Sequence, residues 1–359
     1  MINEVFSKSI SYMQIMDENG NIDESLFSND LNQNKLLIDM YKYMNLARNV
    51  DAKALSLQRQ GRLATYAPLL GQEGEQIGSA MALGKDDYIV PNYRQHGALI
   101  VRGLQLKDFY TYWKGYEDGG SAFKSINSLA VAVPVGTQIQ HAVGLAYAQK
   151  YLKTGNAVVA YIGDGGTSEG DFYEAINFGG VMKVPLVVII ENNQWAISVP
   201  RSRQSAAQTL AQKAIAAGID CMQVDGNDAV SVYKATKDAL AKVKKEGPMI
   251  IECLTYRMSM HTTSDDPTKY RSNEDVEKWK LKDPIKRIGV YLRKNGLWND
   301  SKEATMMEEQ QKMIDDAVAE AEEFKPDPKK MFDTVYSFIP EILQEEYDNA
   351  VSSNFWLEE

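Results

Sequence analysis

Two short polar stretches, each at the end of an apolar run, carry the chemistry of this chain. Gly163-Asp164-Gly165-Gly166 follows the run 157–162, and Asn192-Asn193 follows the run 184–190. Asp164 offers a carboxylate, Asn193 a carboxamide oxygen, and the backbone carbonyl near Trp195 a third oxygen. An all-oxygen donor set suits Mg²⁺ or Ca²⁺ rather than Zn²⁺. Mg²⁺ takes few protein ligands and completes its shell with phosphate oxygens and water. Gly163, Gly165 and Gly166 let backbone N–H groups approach such phosphates, and a helix N-terminus just beyond them favours an anion. Taken singly, Gly-Asp-Gly is a tight turn and Asn-Asn a loop. A dinucleotide site is a further reading, with Glu191 where a ribose-binding acid would stand. Its glycine fingerprint asks for a glycine at 168, where the chain has Ser168.

Both stretches need elements that bring them to one place. Runs 157–162 and 184–190 are rich in Val, Ile and Leu and read as buried strands. Between them, residues 168–181 have Phe172, Ala175, Ile176 and Gly179 at helical spacing, with Thr167 or Ser168 as N-cap and Asp171 completing a capping box from Ser168. Strand, helix and strand at this spacing make a βαβ unit, so the strands are parallel and Asp164 and Asn193 reach the same sheet edge. Further strands are predicted at 88–91, 223–225 and 249–255, and helices at 36–62, 71–83 and 229–244, with amphipathic helices from Pro284 onward. The small-residue-rich stretch 135–151 reads as a tightly packed, buried helix that encloses His141. The fold class is therefore α/β with a largely parallel sheet. Residues 1–32, polar and Asn-rich, are expected to extend from the body as an arm.

Composition narrows the function classes. With 39 Lys and Arg against 49 Asp and Glu, the net charge of −10 disfavours nucleic acid and anionic membranes as partners. The longest apolar runs are too short to span a bilayer. The N-terminal segment has early acids and neither a signal-type apolar core nor an Arg-rich presequence character, which points to the cytoplasm. Cys221 and Cys253 form no Cys-x-x-Cys pair and read as buried, reduced thiols. No internal repeat stands out.

The Gly-Asp-Gly block, followed about 30 residues later by Asn-Asn, closely resembles the thiamine-diphosphate signature. The detailed likeness is to the alpha subunit of the decarboxylating component of 2-oxo acid dehydrogenase complexes. GDGGTSEGDFYEAINF, ENNQWAIS, QTLAQKA, VDGND and HTTSDDPTKYRS all resemble that family in its order and spacing, from about Gln33 to Asn299. The resemblance implies a thiamine-diphosphate-binding fold, with an arm over 1–35, the diphosphate-binding domain over 36–290 and a helical C-terminal region over 291–359. It implies thiamine diphosphate and Mg²⁺ as cofactors, with Asp164, Asn193 and the Trp195 carbonyl on the metal and Gly165 and Gly166 at the diphosphate. Tyr93 and Arg94, after a predicted strand, match the family's Tyr-Arg on the diphosphate. Val133 and Val135 match a stretch that touches the aminopyrimidine through backbone groups, although Val133 stands where relatives have a small residue. His261 matches a histidine near the reaction centre, on a loop that Arg257, Tyr270 and Arg271 are placed to brace.

The implied activity is oxidative decarboxylation of a 2-oxo acid and transfer of the acyl group to the lipoyl group of an acyltransferase component. In this enzyme class a Glu from a separate domain activates the pyrimidine. A second α/β domain of that kind needs roughly 150 residues, and only about 75 remain beyond Pro284. The site is therefore expected to be completed by a beta subunit, in an alpha2beta2 heterotetramer, and the single chain is expected not to turn over. The substrate stays open between pyruvate and branched-chain 2-oxo acids. Thr65 stands where several relatives carry a pocket-lining Phe, and acetoin-cleaving enzymes share the same motifs. A nicotinamide dehydrogenase and a non-catalytic scaffold subunit are the alternatives from other classes.

Overall fold

The computed structural model describes residues 2–28, 31, 34–327, 329–333 and 336–353. Its centre is a six-stranded, all-parallel sheet built from β1 (Tyr12–Met13), β2 (Tyr88–Val90), β3 (Val158–Gly163), β4 (Leu186–Asn192), β7 (Asp220–Asp225) and β8 (Met249–Leu254), in the order β1-β7-β8-β4-β3-β2. A separate two-stranded hairpin pairs β5 (Trp195–Ala196) with β6 (Val199–Pro200). The predicted βαβ unit is present, and its strands are adjacent and parallel.

The sheet is covered on both faces, which is why β3 and β4 carry unbroken apolar runs, 158–162 and 186–190, rather than alternating. Val159, Tyr161, Val187 and Ile189 pack into one core with residues of helices α1 (Asn34–Arg59), α3 (His96–Arg102) and α4 (Leu106–Trp113). Val158, Ala160, Ile162, Val188 and Ile190 pack into the other with α5 (Thr137–Tyr151) and α6 (Gly170–Met182). Each such aliphatic side chain contributes roughly 1.5–3 kcal/mol when fully buried. Helix α2 (Glu73–Met81) lies close against the start of α9 (Ala229–Glu246). A Cβ on Gly78 would fall 2.5 Å from the Ala229 carbonyl oxygen, so only glycine permits that approach. Beyond the sheet follow α10 (Asn273–Lys280), α11 (Pro284–Lys294) and α12 (Asp300–Glu323), the last packed on α1 and α4.

Four expectations need correction. The N-terminal segment is packed on the body from Tyr12 onward, while residues 2–9 are exposed: Tyr12–Met13 adds an edge strand beside β7, and Ile15, Met16 and Leu31 are fully buried. The apolar Ile15-Met16 pair supplies the burial that the polar composition around it obscures. Positions 1, 29, 30, 32 and 33 of that segment, and 328, 334, 335 and 354–359 of the expected C-terminal helical region, lie outside the described residues. Helix α5 is buried on one face only, through Ile139, Ala142, Val143 and Ala146, while His141 and Gly144 lie on an exposed face. Helix α6 begins at Gly170 with Glu169 at its N-cap and no side-chain cap, so the Ser168–Asp171 capping box does not form. A short 3-10 turn, Gly165–Ser168, intervenes and redirects Thr167 toward the backbone of Asp164. Of the two cysteines, both free, Cys253 is buried on β8 and Cys221 is only half-buried.

The arm is fastened by the VDGND stretch. One carboxylate oxygen of Asp228 accepts from the backbone N–H of Ile15 and of Met16, each at 2.8 Å, while the other caps α9 through Val230 N–H at 3.1 Å. Nearby, Arg287 Nη1 donates to Asp225 Oδ2 and to the Met16 carbonyl, both at 2.8 Å. Asp228→Ala strands the buried Met16 N–H, leaves the Ile15 N–H to Ser231 Oγ alone and removes a helix cap, so it should cost roughly 2–5 kcal/mol in chemical denaturation. It should also raise amide exchange across 12–16. Unchanged protection there would show that other contacts hold the arm.

Candidate functional site

The sheet register places the two polar stretches side by side. Gly163 pairs with Glu191 at the carboxyl ends of β3 and β4, so Asp164 and Asn192-Asn193 leave adjacent strands together. Chain leaving β8 continues alongside them: Thr255 N–H donates to the Asn192 carbonyl at 3.0 Å and Arg257 N–H to the Asn193 carbonyl at 3.2 Å. Above this edge opens a cavity of about 520 Å³. Its lining contains every residue singled out from the sequence: Tyr93, Arg94, Val133, Val135, Asp164, Gly165, Gly166, Asn193, Trp195 and His261.

Asp164 is buried, and among the described residues its Oδ2 has no hydrogen-bond partner. Burial pushes its carboxyl up to about 7, opposed by the Gly165 backbone and the Arg257 guanidinium. An anionic oxygen without a partner in a buried wall is the mark of a missing cation or donor. Asn193 is oriented from behind, because its Nδ2 donates to Gln72 Oε1 at 2.9 Å and its Oδ1 accepts, among the described residues, from Trp195 N–H at 3.2 Å. The oxygen end of the amide is thereby turned to the same side as Trp195. The hairpin that carries Trp195 is flanked by Gln194 and Ile197, both at left-handed φ (73° and 55°). Such backbone is costly for a β-branched residue and is tolerated where surrounding bonds hold it. Here Arg257 Nη1 and Nη2 grip the carbonyls of Trp195 and Ile197 at 3.1 and 2.6 Å. The Trp195 carbonyl therefore already accepts one bond and keeps its second lone pair. An oxygen-only group of Asp164, Asn193 and the Trp195 carbonyl fits a hard cation.

Gly165 and Gly166 are required by packing. A Cβ on Gly165 would fall 2.6 Å from that of Ala196, and one on Gly166 would fall 2.7 Å from Ile162 Cγ1. Gly163, by contrast, faces open space.

Across the cavity, Arg94 is buried and bonded to the carbonyls of Pro68 and His261, the latter at 2.9 Å. Its Nη2 also lies 3.2 Å from His261 Nδ1, and Arg257 Nη1 lies 3.3 Å from the same nitrogen. A guanidinium only donates, so Nδ1 is the acceptor and Nε2 carries the hydrogen. Burial and the two guanidinium groups push the imidazole down to about 3. His261 is thus a neutral N–H donor. The Tyr93 ring meets it edge-on at 5.9 Å. Its loop is braced as expected: Tyr270 OH bridges Arg257 and Asp265, and Arg271 binds the carbonyls of Arg257, Met258 and Ser259. Asp265 in turn accepts the His261 backbone N–H at 2.7 Å.

The open end of the cavity is lined by Val133 and Val135, which are 63% and 49% exposed. Thr65, Ala67 and Trp113 line the remaining wall, so an indole stands beside the threonine. Several site residues carried no signal in the sequence. Gln72 reaches Asn193 from α2's N-cap position, and Asn92 Nδ2 donates to Glu191 Oε2 at 2.7 Å beneath the cavity. Glu75 is fully buried nearby, and burial and Glu191 push its carboxyl upward. Gln72 lies in residues 67–74, APLLGQEG, and only the tertiary contact discloses its role.

Residues 41–330 match the family model described as "Dehydrogenase E1 component". The chain is 41% identical to the pyruvate dehydrogenase E1 component subunit alpha of Staphylococcus aureus (strain MW2), over 97% of this chain and 94% of that protein. It is equally similar, over the same shares, to the subunit of that name from Staphylococcus epidermidis. These matches run through the sheet, the Asp164–Asn193 edge and the His261 loop alike, and they do not favour a nicotinamide dehydrogenase or a non-catalytic scaffold. The chain belongs to the dehydrogenase E1 component family, as an alpha subunit of a thiamine-diphosphate-dependent 2-oxo acid dehydrogenase.

Proposed function

We propose that this chain is the metal- and diphosphate-holding half of an E1 component that decarboxylates pyruvate. The observation that carries the site assignment is the buried, unpartnered Asp164 Oδ2 beside the oriented Asn193 amide. In this reading Asp164, Asn193 and the Trp195 carbonyl hold Mg²⁺, and residues 36–290 form the diphosphate-binding unit. Arg94 and Tyr93 meet the diphosphate from across the cavity, and the backbone at Gly165 and Gly166 meets it from the sheet edge. Val133 and Val135 present backbone to the aminopyrimidine at the cavity mouth. Pyruvate is favoured by the naming of the relatives at 41% identity.

Thiamine diphosphate, when bound, supplies the carbanion chemistry that releases CO₂ from a 2-oxo acid. The chain's own contributions are orientation, charge and exclusion of water. Gln72 fixes the Asn193 oxygen, and Arg257 fixes the hairpin at Trp195 and Ile197. His261 presents an N–H that stays put across neutral pH, because its acceptor nitrogen is locked by two arginines. Trp113, which lines the cavity, is backed by Tyr66, His96 and Phe109, with Tyr66 stacked on His96 and the other rings meeting edge to face, so the wall behind it is aromatic.

A beta subunit completing the site, in an alpha2beta2 assembly, is supported by the exposed face of the two helices that run from the cavity edge to the opposite edge of the sheet. The outer faces of α5 and α6 expose Tyr147, Tyr151, Tyr173, Phe178 and Val181, with Gly144 and its open surroundings between them. Apolar exposure on that scale marks an interaction face. The acyl group then passes to the lipoyl group of an acyltransferase component. No helix among the described residues is long and apolar enough to cross a membrane. The two free thiols support a cytoplasmic setting.

Purified alone, the chain should show no lipoyl-dependent turnover. Co-expressed with its beta subunit, it should reductively acetylate a lipoyl domain with pyruvate faster than with branched-chain 2-oxo acids or acetoin. Turnover by the single chain, or a preference for a branched-chain acid, would overturn the corresponding part of this reading. His261→Asn should lower kcat/KM by roughly 10²-fold, the usual loss for one preorganised donor. Since the imidazole is held near 3, its charge does not change between about pH 5 and 8. Wild type and His261→Asn should therefore give parallel pH profiles there. A limb near pH 6.5 that vanished in the variant would show that the histidine titrates.

A further inference from the structure

We infer that Lys213 is a positioning residue of the diphosphate-binding edge: a buried ammonium that fixes the turn after Asp164 and places positive charge beneath it. The inference rests on the assignment of Asp164 and the 165–168 turn to a metal-bound diphosphate. Lys213 lies in the QTLAQKA stretch, which the proposed mechanism leaves unused, at the start of a single helical turn, Lys213–Ala216. It is 7% exposed. Its Nζ donates to the Thr167 carbonyl at 2.7 Å and to Thr167 Oγ1 at 2.9 Å. Thr167 is fully buried and passes the contact on, its hydroxyl donating to the Asp164 carbonyl at 2.7 Å. One ammonium thereby closes the 3-10 turn Gly165–Ser168 onto the end of β3.

A structural strap alone would not need a charge. Burying an ammonium without a carboxylate partner is costly, and among the described residues Lys213 forms no ion pair. The groups that face it are few. Tyr173 of α6 offers its ring face at 5.3 Å, Arg201 opposes the charge, and Asp164 favours it from beyond Thr167. Glu252, the nearby buried acid of β8, is already taken up by Asn192 Nδ2 and Ala211 N–H. Burial and Arg201 push the Lys213 amine down to about 8. A metal diphosphate on the far side of the turn supplies the missing negative charge, so cofactor binding and protonation of Lys213 favour each other. The sign follows: with the amine pushed down, its charge is present below about pH 8 and lost above it, and cofactor affinity should fall in that direction.

The test uses the chain assembled with its beta subunit, freed of cofactor, and reads the dissociation constant for thiamine diphosphate with Mg²⁺ by calorimetry at about pH 7 and about pH 9. Wild type should weaken on going to the higher pH. Lys213→Met should bind roughly tenfold more weakly near neutrality, the scale of a supporting-shell loss, and should lose that pH dependence. Lys213→Arg, which stays charged, should bind near wild type at the lower pH and hold its affinity at the higher. Wild-type affinity with wild-type pH dependence in Lys213→Met overturns the inference. Where Lys213→Met does not fold, an alkaline loss retained in Lys213→Arg overturns it. Absence of binding by wild type overturns the functional reading, and this inference with it.

Discussion

The structure depends on one electrostatic constraint: a carboxylate kept buried at the carboxyl edge of a parallel sheet with an oxygen left unpaired. Moving the Asp164 carboxyl from its ordinary 3.8 to about 7 corresponds to roughly 4 kcal/mol against its charged form. The surroundings could have relieved that cost with a donor. Instead Gly163 opens space, Gln72 turns the Asn193 oxygen to the same side, and Arg257 stops at the Trp195 carbonyl. Every neighbour is arranged so that the missing partner comes from outside the chain.

The cations around the cavity repeat the pattern with opposite sign. Arg94, Arg257 and Lys213 are all buried, and among the described residues none forms an ion pair with a carboxylate. They spend their donors on carbonyls, on two hydroxyls and on one imidazole nitrogen. Burial pushes Arg257 and Lys213 downward, and His261 is pushed down with them by the two arginines. An unpartnered acid on one wall and unpartnered bases on the others suit a ligand that carries both charges, a cation with a polyanion. A diphosphate held through Mg²⁺ is such a ligand, and family membership names it as thiamine's.

Much of this was legible in the residues, for physical reasons. Strands β3 and β4 are buried on both faces, so they read as unbroken apolar runs, and the short connection between them forces parallel pairing. The face of α6 formed by Phe172, Ala175, Ile176 and Gly179 is buried as its spacing indicates. What local pattern could not disclose depends on contacts distant in sequence. Gln72 and Asn193 are 121 positions apart, and Lys213 and Thr167 are 46 apart. The start of α6 was misplaced because Thr167 spends its hydroxyl on Asp164 rather than on a cap. Helix α5 reads as buried on all sides because Gly144, Leu145 and Ala148 interleave with its core positions, although its outer face also carries Gln140, His141, Tyr147 and Tyr151.

The central claim is that Asp164 is completed by a metal-bound diphosphate, and calorimetry on Asp164→Asn tests it most directly. The variant keeps the shape of the side chain and removes its charge. In the assembly with the beta subunit, wild type should bind thiamine diphosphate in the presence of Mg²⁺ and give no heat with NAD, and Asp164→Asn should lose the thiamine diphosphate response while keeping the wild-type melting temperature. Undiminished Mg²⁺-dependent binding by Asp164→Asn would contradict the account.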